Sequence, residues 1–385
     1  MTILTPQGFR AAGVAAGLKS AGGLDLALVV NDGPAHAAAG VFTRNKVKAA
    51  PVLWSQQVLT TGRLRAVVLN SGGANACTGP EGFQTAHATA EKAAEVVGCA
   101  PLEVAVCSTG LIGKQLPRAA VLAGVEAACA GLGDDATAAL AAATAIMTTD
   151  TVAKQAAHTA DGWSIGGTTK GAGMIAPSMA TMLTVLTTDA VVDSPVLDEA
   201  LRAAVRVSFD RLDVDGCMST NDTVLVLASG ASGVVADPVV FTEALAAVCR
   251  DLALQMQADA EGVTKRITVR VTGAATEDEA VTVARTIARD SLVKTAIFGS
   301  DANWGRIAAA AGYADAAVDP DRLDITVNGV LLCRGGVAAG GRTDADLSGK
   351  EVLVEVALGL GDGAADILTT DLSHAYVEEN SAYPS

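Results

Sequence analysis

The stretch KGAGMIAPSMATMLTVLTTDA, residues 170–190, holds eighteen uncharged residues between Lys170 and Asp189. Its first half has the glycines and the proline of a loop. Its second half, residues 182–188, has the β-favouring side chains of a buried strand. The junction between loop and strand falls at Ala180–Thr181. Three interpretations compete for this stretch: a membrane span, a phosphate-binding loop, or a site where the chain does chemistry on its own backbone.

The composition of the stretch argues against the first two interpretations. Only ten of its eighteen residues are Ala, Met, Ile, Leu or Val, and Pro177 and four threonines interrupt them. A membrane span needs about 20 predominantly apolar residues. Lys170 precedes the glycines, whereas a phosphate loop has its lysine after them, in GK[ST] order. The third interpretation, chemistry by the hydroxyl of Thr181 at the Ala180–Thr181 junction, is compatible with the sequence.

A threonine hydroxyl is a poor nucleophile without a base beside it. Cleavage of the Ala180–Thr181 peptide would free the α-amino group of Thr181, with an unperturbed pKa of about 7.7–8.0. That amine lies within reach of its own hydroxyl and titrates near neutral pH, so one cleavage would create nucleophile and base together. An ordinary buried strand threonine fits the same residues, and residue chemistry alone does not choose between the two.

A second glycine turn, CSTGLIG (107–113), follows the apolar run EVAV. Here the hydroxyl of Thr109 and the backbone N–H of Gly110 could donate two hydrogen bonds to a developing oxyanion. The alternative is an ordinary turn at the end of a strand.

The whole chain sets further limits. Its 385 residues predict two lobes, since a single core rarely grows beyond about 250–300 residues. The formal net charge of −15 argues against a nucleic-acid partner. The N-terminus shows no signal peptide, which predicts a cytoplasmic protein. Seven cysteines without a CxxC pair and four histidines without metal-type spacing predict no metal site. The sequence contains no GxSxG motif, so it does not indicate an α/β-hydrolase.

Periodicity predicts a mixed α/β chain of strands joined by long helical connections. We expect strands at 26–30, 38–43, 65–73, 103–110, 182–188, 223–230, 266–273, 293–298, 323–333 and 351–357. We expect helices at 84–97, 117–131, 135–147, 195–208, 240–257 and 277–290.

Motifs spread along the chain resemble one enzyme family. They are FTRNKVKAAPV (42–52), NSGGANACTG (70–79), CSTG (107–110), MTTDT (147–151), KGAGMIAPSMATML (170–183), DAEGVTK (259–265), KTAIFGSDANWGRI (294–307) and ENSAYPS (379–385). In this order, and over essentially the whole chain, they resemble the ornithine acetyltransferase family, also called glutamate N-acetyltransferases.

The resemblance implies self-cleavage at Ala180–Thr181 into an N-terminal lobe, 1–180, and a C-terminal lobe, 181–385, that stay associated as a heterotetramer of two of each chain. It implies an α/β fold, a two-lobed sandwich of β-sheets flanked by helices, layered like N-terminal-nucleophile hydrolases but connected differently. It implies Thr181 as nucleophile and no cofactor. The remaining roles it implies are oxyanion donors at Thr109 and Gly110 and substrate-binding residues at Thr148, Lys170, Thr181, Glu261, Asn380 and Ser385.

The function expected from the resemblance is acetyl transfer from N2-acetylornithine to glutamate through an acetyl ester on Thr181, in cytoplasmic arginine biosynthesis. Four alternatives stay open: a bifunctional enzyme that also takes acetyl from acetyl-CoA, a relative serving a secondary-metabolite pathway, an N-terminal-nucleophile peptidase or amidase, and a non-enzymatic binding protein. Lys170 suits a carboxylate and Glu261 an ammonium group, so these residues favour free amino acids over peptides. The expected partners are therefore small molecules, with no membrane and no nucleic acid.

Overall fold

The computed structural model describes residues 1–176, 182–341 and 343–382. They form two compact units. The first contains Met1–Asp210 and Cys217–Met256, and the second contains Arg211–Gly216 and the described residues from Gln257 to Ala382. The lobes predicted at 1–180 and 181–385 divide the chain at another point, which is the expected cleavage site. Ala180 and Thr181 lie outside the described residues, so that division stays a prediction.

Two sheets form the framework of the first unit. Its strands are β1 Phe9–Val14, β2 Leu26–Asn31, β3 Ala37–Phe42, β4 Ala66–Asn70, β5 Val104–Ser108, β6 Lys154–Thr159, β7 Ser164–Lys170, β8 Leu183–Thr188 and β9 Thr223–Ala228. One sheet has the order β1-β2-β4-β5 and the other the order β3-β9-β8-β7-β6. The runs of β2, β4, β5, β8 and β9 are buried at every position, which explains why they read as continuous apolar strands.

Six helices accompany these sheets: α1 Ala50–Val58, α2 Gly79–Val97, α3 Arg118–Ala130, α4 Ala136–Ala145, α5 Ser194–Arg206 and α6 Pro238–Ala258. The carboxylates of Asp135 and Asp193 accept hydrogen bonds from the first turns of α4 and α5, as expected for N-cap residues. A single apolar core joins the two sheets, since it contains Leu28 and Val68 from one and Val185 from the other.

The second unit has its own sheet and core. Its strands are β10 Arg266–Ala274, β11 Asp324–Val327, β12 Val330–Arg334, β13 Val337–Ala338, β14 Glu351–Ala357 and β15 Gly363–Thr370, in the order β13-β12-β11-β14-β10-β15. Its helices are α7 Glu277–Arg289, α8 Ser291–Phe298, α9 Trp304–Gly312 and α10 His374–Ala382. Strand β10 alternates buried and partly exposed residues, so one face covers the core.

The predicted α/β class, with β-sheets flanked by helices, is confirmed. Two predicted strands are wrong: residues 323–333 form two antiparallel strands, β11 and β12, joined by a turn, and residues 293–298 lie in helix α8. Asp290 caps this helix, its carboxylate accepting from Val293 N–H at 2.8 Å. Val293, Ala296 and Ile297 are buried at helical spacing. A short apolar run does not by itself distinguish a strand from a helix. Here the N-cap hydrogen bond of Asp290 favours the helix.

Candidate active site

The turn after β5 contains the two predicted oxyanion donors, Thr109 and Gly110, and its backbone geometry requires glycine. Gly110 has φ +122°, and a Cβ atom at this position would lie 2.6 Å from the backbone N of Gly73. Only glycine fits, both because of its φ and because the two chain segments approach so closely. Thr109 extends the contact, since its carbonyl accepts from Gly73 N–H at 3.0 Å.

Two buried asparagines fix this turn against the loop that follows β4. Asn70 accepts from the Ser108 hydroxyl at 2.6 Å. The Asn221 side-chain amide donates to the carbonyls of Ser108, at 2.8 Å, and Ala74, at 2.6 Å. Asn221 thus ties the loops of two neighbouring parallel strands together, and both loops leave the same edge of the sheet. The turn is therefore held rigidly before any ligand binds.

The two predicted donors have no acceptor among the residues that the structure describes: neither the hydroxyl of Thr109 nor the N–H of Gly110 makes a hydrogen bond there. Adjacent donors on a braced turn are the arrangement that stabilises negative charge on a reacting oxygen without reorganisation, so the predicted role of Thr109 and Gly110 stays open to test.

A buried ionic cluster lies at the end of β7. The ammonium group of Lys170 donates to the hydroxyl of Thr148 at 3.0 Å, so two predicted substrate residues are in contact. Asp150 accepts from the ammonium of Lys154 at 2.6 Å and from the backbone N–H groups of Thr148 and Gly171 at 3.0 and 2.6 Å. Lys154 and Lys170 are both almost fully buried. Asp150 and Lys154 were not predicted, and Asp150 holds both Thr148 and the residue after Lys170.

Charge explains the ionisation of this cluster. Burial raises the pKa of Asp150, but the positive charges of Lys170 and Lys154 and the Gly171 hydrogen bond outweigh it, so the pKa lies below the ordinary value. The ionised carboxylate of Asp150 thus faces the buried ammonium groups of Lys154 and Lys170. Buried lysines of this kind are suited to a carboxylate ligand.

The second unit brings together another predicted pair. The Asn380 side-chain amide donates to the carboxylate of Glu261 at 3.0 Å and to the carbonyl of Tyr376 at 3.0 Å. Gly262 permits this arrangement, because a Cβ there would lie 2.1 Å from the backbone N of Tyr376. Glu261 and Asn380 are therefore neighbours, as one binding site requires.

The predicted nucleophile Thr181 lies outside the described residues, as do Ala180 and Ser385. The structure resumes at Met182, whose backbone N–H donates to the carboxylate of Asp222 at 3.1 Å. Asp222 is fully buried, and burial raises its pKa well above the ordinary value although Met182 N–H and Lys170 oppose this. The sequence did not single out Asp222, because an Asn-Asp-Thr run before a strand is equally typical of a turn.

Residues 1–176, 182–341 and 343–382 contain neither a candidate metal site nor a candidate membrane-spanning helix. No group of three or more His, Cys, Asp or Glu side chains could hold a metal ion. None of the helices there is long and apolar enough to cross a membrane.

Comparison with known proteins identifies the family. The model of the ArgJ family matches residues 10–385. The arginine biosynthesis bifunctional protein ArgJ of Mycolicibacterium paratuberculosis is 61% identical over 389 residues, covering 100% of this chain and 96% of the relative. The protein of the same name from Streptomyces coelicolor is 58% identical over 385 residues, covering 100% of both. A crystal structure of ornithine acetyltransferase complexed with ornithine, from Mycobacterium tuberculosis, is 59% identical, covers 47% of this chain and 96% of that chain, and has a TM-score of 0.45.

The fold and the braced glycine turn after β5 define a mixed α/β protein, and Thr109 and Gly110 of that turn stay the predicted oxyanion donors. The chain belongs to the ArgJ family. The resemblance drawn from the motifs is therefore confirmed, and the roles of the individual site residues stay predictions.

Proposed function

We propose that this chain is an acyltransferase that moves the acetyl group of N2-acetylornithine to glutamate, through an ester on Thr181 formed after self-cleavage at Ala180–Thr181. Membership of the ArgJ family supports the reaction. The observation that carries the chemistry is the turn at Thr109 and Gly110, with two fixed donors free to bind an oxyanion.

The reaction has two steps. The Thr181 hydroxyl attacks the acetyl carbonyl while its own α-amine takes the proton, and the hydroxyl of Thr109 and N–H of Gly110 stabilise the tetrahedral oxygen. The C–N bond breaks and ornithine leaves with that proton. The neutral amine of glutamate then attacks the ester, the C–O bond breaks, and the proton lost by the glutamate nitrogen passes through the α-amine to the Thr181 oxygen.

Both substrates present an α-amino-acid end, so one site serves them in turn. Lys170, supported by Thr148 and Asp150, supplies positive charge for a carboxylate. Glu261, hydrogen-bonded to Asn380, supplies negative charge for an ammonium group. Ser385 is assigned to the same site from the resemblance. An N-terminal-nucleophile peptidase would use the same nucleophile, but charges at both ends favour a free amino acid.

The test is the variant Thr181→Ala. Denaturing electrophoresis of the unaltered protein should show two chains, and the variant should stay uncut and transfer no acetyl group. Thr181→Ser keeps a hydroxyl and should retain some of both activities, and Thr60→Ala, at an exposed threonine, should change neither. An uncut but fully active Thr181→Ala variant would refute the proposal.

A second activity, acetyl transfer from acetyl-CoA to glutamate, is favoured by one observation. The relatives that match along their full length are named as bifunctional proteins. The same Thr181 ester would serve, since only the donor of the first step changes. We also propose, with the resemblance as support, a cytoplasmic heterotetramer of two of each chain.

A further inference from the structure

A groove in the first unit lies between α1, α5 and the edge strand β3. Its volume is about 370 Å³. Its polar lining comes from Arg44, Gln56, Arg202 and Asp210, and its apolar wall from Val41, Phe42 and Val205. Nothing in the proposed reaction with acetylornithine uses this groove. Its mixed lining is that of a ligand site in which an apolar body is oriented by a few charged groups.

The loop beside the groove carries positive charge that forms no ion pair with the carboxylates that the structure describes. Arg44, Lys46 and Lys48 alternate along FTRNKVK, and in the described part of the molecule none of them has a carboxylate partner. Lys48 donates only to the side-chain oxygen of Gln56, at 3.3 Å. In contrast, Arg202 is paired with Asp198 at 2.8 Å. In a chain of net charge −15, three neighbouring cations without an ion pair among the described residues favour an anion locally.

This loop is also held in place, unlike an ordinary solvated charged loop. The Thr43 hydroxyl donates to the Ser219 carbonyl at 2.7 Å, and the Asn45 amide donates to the Met218 carbonyl at 3.0 Å. Ala49 N–H donates to a carbonyl of the same segment, at 3.0 Å. Arg44 and Lys46 therefore project from a fixed backbone, which lowers the entropy cost of binding a ligand.

The sheet register places this loop at the edge of the sheet where β8 begins, next to Met182, the first residue described after Thr181. Phe42 pairs with Thr223, and Thr223 pairs with Leu183, so the three strand ends form one row. Next to this row, the N–H of Thr43 donates to the carbonyl of Asp222. The carboxylate of Asp222 in turn accepts from the N–H of Met182, so Asp222 connects the loop to the start of β8. Two strand spacings, about 10 Å, separate β3 from β8. The pantetheine arm of a coenzyme A thioester is longer than this.

We propose that the groove, with Arg44, Lys46 and Lys48, binds the phosphorylated end of acetyl-CoA as the donor of the second activity. Arginine and lysine bind phosphate oxygens through charge-assisted hydrogen bonds, and the apolar wall accepts the adenine ring. The thioester then reaches Thr181: its hydroxyl attacks the acetyl carbonyl, the C–S bond breaks, and coenzyme A leaves as the thiol with the threonine proton. This inference rests on the proposed function, because it uses the same ester.

The experiment compares three donors with glutamate as acceptor: acetyl-CoA, N2-acetylornithine, and the acetyl thioester of N-acetylcysteamine, which lacks phosphates and adenine. In the double variant Arg44→Gln/Lys46→Gln, kcat/KM for acetyl-CoA should fall at least tenfold, which corresponds to about 1.4 kcal/mol for the lost charged hydrogen bonds. The other two donors should change less than twofold. Arg334→Gln, which removes an exposed charge in the second unit, is the matched control.

Competition identifies the ligand chemistry. Adenosine 3′,5′-bisphosphate should inhibit acetyl-CoA use in the unaltered protein and lose this effect in the double variant, and inorganic phosphate at the same concentration should not inhibit. Equal losses for all three donors, no loss for acetyl-CoA, or no use of acetyl-CoA by the unaltered protein would each overturn the groove proposal. Retained acetylornithine transfer in those cases leaves the proposed function standing, whereas its absence in the unaltered protein refutes that function separately.

Discussion

Asp222 is completely buried, and within the described residues its two carboxylate oxygens differ in their hydrogen bonds. One oxygen accepts from Met182 N–H, and the other has no hydrogen-bond partner among the residues described. Burial is the main cause of its raised pKa. Unfolded, an aspartate ionises near pH 3.9, about its unperturbed pKa. Between that pH and the raised pKa the folded protein binds more protons, so the free energy of unfolding falls as pH rises.

The variant Asp222→Asn should remove this pH dependence. It keeps an oxygen acceptor for Met182 N–H and cannot ionise. Since each unit of pKa is worth about 1.4 kcal/mol, we expect a higher Tm than the unaltered protein at pH 8, by about 2–4 °C per kcal/mol, and a difference that shrinks toward pH 4. Calorimetry at several pH values measures this. Asp161→Asn, at an exposed aspartate, should leave the profile unchanged; parallel profiles for both variants would contradict the explanation.

Sequence reasoning reaches some of these residues and not others for a physical reason. Thr109 and Gly110 stand out because a glycine turn after a buried strand is a local pattern. Asn221 and Asp222 precede strand β9 in a polar run, and only contacts with distant segments, such as the Ala74 carbonyl, bury them. Their roles depend on chain positions far apart, which local patterns do not encode.

Among the elements, the turn after β5 is the one on which the proposed chemistry depends most. Gly110→Ala adds a Cβ atom 2.6 Å from the Gly73 backbone N, so the turn must shift and its N–H must move. Loss of one oxyanion donor costs about 10²–10³ in kcat, and we expect a loss of that order with little change in KM. Steady-state acetylornithine assays measure both constants.

The matched control is Gly113→Ala in the same loop. Gly113 also has a positive φ, +83°, but no atom lies within 4 Å of the added Cβ. Both variants carry backbone strain of about 1–2 kcal/mol, whereas only Gly110→Ala forces the two loops apart. Equal losses of kcat in the two variants would mean that backbone strain, not the position of the donor, accounts for the effect.

The sequence predicts strands correctly where most of their residues are aliphatic. Strands β5, β8 and β9 are buried aliphatic runs and were predicted. Strands β6 and β7, KQAAHT and SIGGTTK, were missed because their small and polar residues carry no hydrophobic period. In β7, Gly166 and Gly167 make room for neighbours: a Cβ would lie 2.4 Å from the Thr2 carbonyl oxygen and 2.7 Å from the Leu186 side chain. Close packing requires glycine at these two positions. Glycine has a low strand propensity, so the sequence pattern does not indicate the strand.

For the molecule as a whole, the proposed cleavage divides the chain without dividing the first unit. Strands β7 and β8 lie on opposite sides of Ala180–Thr181 and pair along six residues, and β3 pairs with β9 across the same division. The core of this unit likewise draws Leu28 and Val68 from before the cleavage and Leu225 from after it. Neither chain can bury these surfaces alone, so the cut chains are expected to remain one cooperative structure.

The prediction is that the two chains produced by cleavage elute together in native size-exclusion chromatography, with a mass by light scattering of two copies of each chain. They should separate only in denaturant, and a single cooperative transition should accompany both the loss of secondary structure and the dissociation. Chain 1–180 expressed alone should not fold, and in chain 181–385 expressed alone the segments of the first unit should stay unfolded, because each lacks its partner strands. High salt should not separate the cut chains, since backbone pairing and apolar burial hold them, and dissociation in native buffer would contradict this account of the first unit.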